Sequence, residues 1–261
     1  TPHQPLLPLW ASSGPFVVPV VRFPPPPPDP LQVLAADPGL IDGLWRFNPK
    51  NLGPADGSDF YFDPHTKHYT GEQNVLKGWC PKIRGADKVL HSDFIHTAQG
   101  EPIYFETTDN VADLRQRFCA VIGRARQALQ WPADTVPTFI VDRGIYGAEF
   151  FEKVAGDPTF HLITWQKGFT AQTWEPTQVL GKTTITRYRN CSTDLRLYQF
   201  EYVERPWEKN PKLRQIVVQA TDDRDRTIQV AILTDDLKRA AIELIRLRFG
   251  RGLRGNDFKY I

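Results

Sequence analysis

The sequence lacks methionine altogether, has few cysteines and contains no long apolar segment. Because none of its 261 residues is methionine, we expect a piece of a longer chain, whose N-terminal DNA-binding domain can be missing. The three cysteines stand far apart without a C-x-x-C pair, which disfavours a zinc ribbon or a dithiol redox site. No apolar run approaches the roughly 20 residues of a membrane-spanning helix, and the first residues lack the pattern of a secretory signal. These absences predict a cytoplasmic, nucleoid-associated protein without a membrane partner.

An excess of charge of one sign is also missing. The chain has 32 Lys and Arg against 30 Asp and Glu, for a net charge of +2. Attraction to nucleic-acid phosphates depends on local basic patches as well as on total charge, so composition permits DNA binding without predicting it. The hydrophobic content of 41% is enough for one sizeable core.

Proline, in contrast, is abundant near the N-terminus and includes an unbroken run at residues 24–28. Proline-rich segments adopt extended conformations and do not pack as regular elements, which predicts that residues 1–50 are a linker. A polyproline ligand for a partner domain is the alternative, although a linker is the simpler explanation.

Downstream of this segment, strand-like and helix-like patterns alternate. β-type runs at residues 60–62, 75–79, 88–95 and 102–105 predict an antiparallel meander of three adjacent strands. They precede a helical stripe at residues 111–129, which Asp109 and Asn110 are placed to cap. The next elements are predicted as strand, helix and strand, at residues 138–141, 147–154 and 160–164.

The last third of the chain changes character. Residues 169–230 show alternating runs between polar turns, and the residues after 235 fit a helical stripe that includes Arg248 until glycines weaken it. The sequence therefore predicts an α/β fold with a mixed sheet flanked by helices. Its predicted parts are the first part of the core at 51–168, an inserted all-β subdomain at 169–230 and a C-terminal core helix at 231–261.

Two aspartates end strand-like runs in the centre of this pattern. Asp63 follows the aromatic run at residues 60–62, and Asp142 follows the apolar run at 138–141. Carboxylates at the ends of two central strands are typical of sites that bind divalent metal for phosphoryl transfer. Taken singly, however, an aspartate at a strand end is more often a turn or helix cap.

Histidines offer a metal-site alternative. Asp63, His65 and His68 form the pattern D-x-H-x-x-H, with His91 and His96 on a nearby predicted strand, and zinc uses such ligands. No cysteine or further carboxylate completes a zinc spacing, so a zinc hydrolase is the weaker hypothesis.

Three blocks of the sequence resemble the DDE transposases of bacterial insertion sequences, in the branch that carries a β-rich insertion. The blocks are YFDPHTKHYTG around Asp63, FIVDRGIYG around Asp142, and residues 251–261. The resemblance covers residues 60–261 and implies a ribonuclease-H-like core that carries out DNA transposition. It implies that Asp63 and Asp142 are the catalytic, metal-binding residues for Mg²⁺ or Mn²⁺, and that a homodimer acts on DNA ends and target.

The third block departs from the family pattern. The family places a glutamate on the C-terminal helix just before an NDFKY-like stretch, and here that position is Gly255. Glycine has no side chain to bind metal, so the resemblance implies a catalytically impaired transposase or, alternatively, a non-catalytic DNA-binding remnant. Arg251, Arg143 and Lys259 are the DNA contacts that the resemblance and the basic terminal segment suggest.

Overall fold

The computed structural model describes residues 59–254, with gaps at 73, 81, 99, 109–112, 158, 176–178, 190–191 and 223–224. The description covers the backbone alone at residues 184–189, 192–198, 222 and 251–254. The predicted linker at residues 1–50, Gly255 and Lys259 lie outside the described residues. No helix within the described ranges is long and apolar enough to cross a membrane.

Within the described residues, ten strands form one mixed sheet. They are β1 (Asp59–His68), β2 (Lys77–Cys80), β3 (Gly85–Thr97), β4 (Pro102–Thr108), β5 (Thr138–Ile140), β6 (His161–Trp165), β7 (Gly181–Arg189), β8 (Ser192–Trp207), β9 (Asn210–Asp222) and β10 (Thr227–Thr234). Their order across the sheet is β2, β3, β1, β5, β6, β10, β9, β8 and β7, and β4 also pairs with β3. β1 is antiparallel to β3 but parallel to β5, and β5 is parallel to β6. The predicted α/β class with a mixed sheet is confirmed.

Three helices are described, α1 (Leu114–Ala128), α2 (Ala148–Ala155) and α3 (Ala241–Arg254). The N-cap of α1 is Asp113, whose carboxylate accepts the backbone N–H of Arg115 at 2.8 Å. The two residues predicted to cap this helix fall in the gap at 109–112, and the helix begins five residues or fewer after them. A short polar residue directly before the first turn is the usual way to satisfy its N–H groups.

The helices cover opposite faces of the sheet. Successive residues of a strand point to opposite faces, and Phe62 packs in one hydrophobic cluster with α1 and α2 while Tyr61 packs in the other. The second cluster includes Leu244 and Ile245 of α3. Its face of β1 and β5 is therefore the one that α3 occupies.

The segment predicted as an inserted all-β subdomain, residues 169–230, contains β7, β8, β9 and the first part of β10. Its strands extend the same sheet, because β10 pairs with β6 through the register Ile232↔Trp165. Phe200 and Ile216 then join the cluster beneath α3, so this segment completes the core and does not form a separate one. In the predicted C-terminal part, residues 231–261, the chain first finishes β10 and then begins α3 at Ala241.

Candidate functional site

β1 and β5 bring the two predicted aspartates into one row of the sheet. Their parallel pairing aligns Tyr61 with Ile140. Asp63 lies two residues further along β1, and Asp142 lies two residues after Ile140, the last residue of β5. Adjacent strands are about 4.8 Å apart, so two residues in one row are direct neighbours. The structure thus places these aspartates side by side on adjacent segments of chain.

Strand alternation gives both aspartates the same face. Tyr61 and Ile140 belong to the cluster beneath α3, and a residue two positions further on points to the same side. The N–H of Val141 still bonds to the carbonyl of Ile163 on β6 at 2.9 Å, so the extended pairing continues to the residue before Asp142. The aspartates therefore lie on the α3 side of the sheet.

α3 is held over this row by contacts from two consecutive residues. The hydroxyl of Tyr61 donates a hydrogen bond to the carbonyl of Leu247 at 2.8 Å. Arg248 then places Nη2 3.7 Å from Oδ1 of Asp142, and its guanidinium carbon lies 4.3 Å from the centre of the Trp165 ring. A cation over an indole face is attracted by the negative face of the ring. The Arg248 side chain is thus buried in the core, and its guanidinium lies beside the Asp142 carboxylate.

The two carboxylates differ in their surroundings. The Asp142 side chain is 60% exposed, and its Oδ1 accepts the backbone N–H of Arg143 at 2.8 Å in the turn that follows β5. The Asp63 side chain is 21% exposed, and its Oδ2 lies 3.1 Å from Nε2 of His65. Both carboxylates retain contact with solvent, which an incoming ligand requires.

The donor chemistry of this pair suits magnesium. Mg²⁺ prefers oxygen ligands and is typically held by one or two carboxylates, with waters and phosphate oxygens completing its shell. Asp63 and Asp142 supply two carboxylates on one face of adjacent strands. Within the described ranges, no three His, Cys, Asp or Glu side chains are grouped closely enough to hold a metal ion. Two carboxylates could hold one ion, and a two-metal site would need a further ligand.

The predicted DNA contacts are only partly described. Arg143 is exposed and directly follows Asp142. Arg251 lies in α3, three residues after Arg248, and residues at this spacing are neighbours on a helix surface. Lys259 and the predicted position of the third acid, Gly255, are outside the described residues.

The histidines predicted as zinc ligands do not converge in the described structure. Asp63 and His65 share one face of β1, whereas His68 falls on the other by strand alternation. The remaining contacts are separate: His68 bonds to Asp87 at 3.0 Å, His91 bonds to Thr66 at 3.1 Å, and His96 stacks on Phe94.

Sequence reasoning did not assign a role to Arg248 or Trp165. The signal for Arg248 was its position within the apolar stripe of the terminal helix, where a charged residue requires a partner when the stripe is buried. Its side chain is 3% exposed. Nothing in the sequence pattern pairs it with Trp165, because that contact depends on how α3 crosses β6.

No protein-family model and no curated protein match this sequence. Among solved structures, the chain is similar to the piggyBac transposase in the cryo-EM structure of its synaptic complex with hairpin DNA. The match has a TM-score of 0.43 and 9% sequence identity, and it covers 78% of this chain and 40% of that one. The chain thus spans less than half the length of the transposase chain that it matches.

Proposed function

We propose that this chain is a catalytically impaired DDE-type transposase-like protein with a ribonuclease-H-like core, whose site is built to act on DNA phosphodiester bonds with the help of Mg²⁺ or Mn²⁺. The observation that carries the proposal is the parallel pairing of β1 with β5, which sets Asp63 and Asp142 in one row beneath α3. The chain order supports it, since three antiparallel core strands are followed by helix, strand, helix and strand, as the resemblance to DDE transposases implies.

Each residue of the site has a role in this proposal. The carboxylates of Asp63 and Asp142 hold the ion, which when bound polarises a phosphoryl oxygen and activates a water or a 3′-hydroxyl. Arg248 positions Asp142 through the 3.7 Å ion pair. Arg143 and Arg251 contact DNA phosphates, for which the fork of guanidinium donors is well suited. A homodimer on paired DNA ends is part of the same proposal.

Gly255 makes the chain, as it stands, a poor catalyst in this proposal. Without a third acid, the ion is held by two carboxylates only, and one of them is already paired with Arg248. This pairing favours the second candidate function, a DNA-binding remnant without cleavage, because a cation supplied by the chain already neutralises part of the acidic pair.

Nicking of supercoiled plasmid DNA in Mg²⁺ or Mn²⁺ tests the proposal. The proteins to compare are the chain itself, Gly255→Glu, Gly255→Gln and Gly255→Glu/Asp142→Asn. The Gln variant is the matched control, because it restores a side chain of the same length and similar helix propensity without the acid. We expect nicking by Gly255→Glu alone.

Two other results of the nicking experiment would contradict parts of the proposal. Nicking that survives Asp142→Asn would contradict the assigned site, because the amide cannot replace the carboxylate as an anionic ligand. Binding of plasmid DNA by all four folded proteins without nicking in any of them would support the remnant in place of the enzyme.

A further inference from the structure

The hairpin formed by β2 and the first residues of β3 carries an exposed surface of basic and aromatic side chains. Lys77 pairs with Lys88 in the hairpin register, and Trp79, two residues after Lys77, points to the same face and is 63% exposed. Lys82 and Arg84 are exposed in the turn. We call these five residues the hairpin surface.

The opposite face of the hairpin anchors it to the protein. Cys80 and Val89 are both fully buried there. Because the backbone is fixed from this side, an exposed tryptophan on the other face does not help to fold the hairpin. Large exposed aromatic side chains on a well-anchored strand are typical of binding surfaces.

The hairpin surface has a strong local charge of one sign. Residues 75–90 contain four basic residues and one acidic residue, Asp87. The carboxylate of Asp87 bonds to Nε2 of His68 at 3.0 Å, and by strand alternation it lies on the face away from Trp79. A basic surface with an apolar centre is complementary to a polyanion that also offers flat apolar groups, as DNA does.

The hairpin surface and the aspartate row lie on one face of the sheet and are connected by β3. Phe94 of β3 pairs with Asp63, and Lys88 lies six residues earlier on β3, an even number that keeps the face. At a rise of about 3.4 Å per residue, Lys88 is about 20 Å from Phe94, the residue opposite Asp63. Ala86, which pairs with Trp79, is about 27 Å from Phe94 by the same rise. This separation corresponds to roughly six to eight base pairs of duplex DNA.

We propose that the hairpin surface binds duplex DNA roughly six to eight base pairs from the phosphate that lies at Asp63 and Asp142. Its lysines and arginine contact backbone phosphates, and Trp79 packs against a deoxyribose or an unstacked base. The inference rests on the proposed function, because it takes the aspartate row as the position of the phosphate, and it adds a second contact region that fixes the direction of the DNA along β3.

Fluorescence anisotropy with a labelled duplex of about 30 base pairs, measured over a range of salt concentrations, tests this inference. Lys77→Gln/Lys88→Gln should weaken binding and reduce the slope of log affinity against log salt by about two, since each phosphate contact contributes about 0.9. Trp79→Ala should weaken binding about tenfold, and Trp79→Phe should retain most of the affinity because it keeps an aromatic face.

The matched control removes the same charge at two positions away from the hairpin surface. Lys209 lies in the turn between β8 and β9, and Lys238 follows β10; both are exposed. Lys209→Gln/Lys238→Gln should leave the salt slope unchanged. Thermal unfolding midpoints of all variants should match that of the parent chain, because the altered side chains do not contribute to the core.

The outcomes separate this inference from the proposed function. The hairpin inference is wrong if the parent chain binds the duplex and the hairpin variants lose no more affinity than the control variant. The proposed function stands in that case. If the parent chain does not bind the duplex at any salt concentration, both are wrong.

Discussion

Arg248 and Asp142 form an ion pair in which one side chain is buried and the other is exposed, with exposed fractions of 3% and 60%. The guanidinium remains charged at any pH at which the protein folds, so a permanent cation lies beside one of the two candidate metal ligands. The pair therefore positions Asp142 and at the same time opposes the approach of a second cation.

Removing the Arg248 charge should strengthen metal binding. We expect Arg248→Met, which keeps an apolar stem over Trp165, to bind Mn²⁺ about tenfold more tightly, because a unit charge at this distance opposes the ion by about 1 kcal/mol or more. Free Mn²⁺ measured by electron paramagnetic resonance gives the affinity directly. Arg248→Lys should leave the affinity nearly unchanged, and Asp142→Asn should remove the binding. Equal affinities of the Met variant and the parent chain would show that the ion pair does not compete with the metal.

The contact between Tyr61 and α3 should control the effect of a substitution at Gly250. A Cβ added at Gly250 would lie 3.3 Å from the Tyr61 hydroxyl oxygen, which is a crowded contact, whereas alanine favours a helix over glycine by about 1 kcal/mol. We expect Gly250→Ala alone to be close to neutral, and Gly250→Ala in a Tyr61→Phe background to stabilise by about 1 kcal/mol. Urea unfolding of the four proteins in a double-mutant cycle measures the difference. An identical effect in both backgrounds would rule out the crowding.

The buried pair of Asp93 and Arg117 should be sensitive to the loss of one partner. Arg117 Nε and Nη2 donate to the carboxylate at 2.9 and 2.7 Å, and the Asp93 side chain is fully buried. Arg117→Met should cost about 3 to 5 kcal/mol, because it leaves a carboxylate without its cation in the core. Arg124 forms a comparable pair with the Glu106 carboxylate at the surface and provides the control. Arg124→Met should cost about 1 kcal/mol or less. Recovery of stability in Arg117→Met/Asp93→Leu, measured by urea unfolding, would confirm that the orphaned charge causes the loss.

Tyr104 should make the stability of the fold depend on alkaline pH. Burial, followed by the neighbouring Glu106 carboxylate, raises the pKa of Tyr104 to about 12, and its hydroxyl donates to Glu106 Oε2 at 3.0 Å. Because the pKa in the folded state is above the ordinary value of about 10, this group stabilises the fold fully below about pH 10, and the contribution is lost as pH rises towards 12. The alkaline decrease of the urea midpoint should be smaller in Tyr104→Phe than in the parent chain. Ultraviolet titration should show a late-ionising tyrosine in the parent chain that is missing from Tyr104→Phe, and identical titrations of the two proteins would contradict the assignment.

The aspartate row shows what local pattern can predict. The aromatic run before Asp63 and the apolar run before Asp142 identify two strands, and the helix between them requires a crossover that makes parallel neighbours possible. Alternation then assigns a face to each residue. The strands and their faces follow from side-chain periodicity, and the crossover follows from the order of the elements. Both can be read from the sequence.

Sequence reasoning missed features for which the local sequence allows several equivalent structures. Strand alternation in residues 169–230 indicates strands and faces but not which strand lies next to which, so the pairing of β10 with β6 was not predicted. Several Asp and Asn residues before α1 are chemically equivalent caps, and only the packing of the helix selects Asp113. Likewise, the contact of Arg248 with Trp165 joins segments distant in the chain.

The parallel pairing of β1 with β5 also determines how late in synthesis Asp63 and Asp142 can become neighbours. The paired residues Asp59 and Thr138 are roughly eighty positions apart, and the intervening strands and α1 must be made before β5 can dock. Closing such a long loop is slow compared with forming a local hairpin. α3, which covers the row, leaves the ribosome after every described strand. A nascent chain therefore holds β1 and β3 before β5 can bring the two aspartates together.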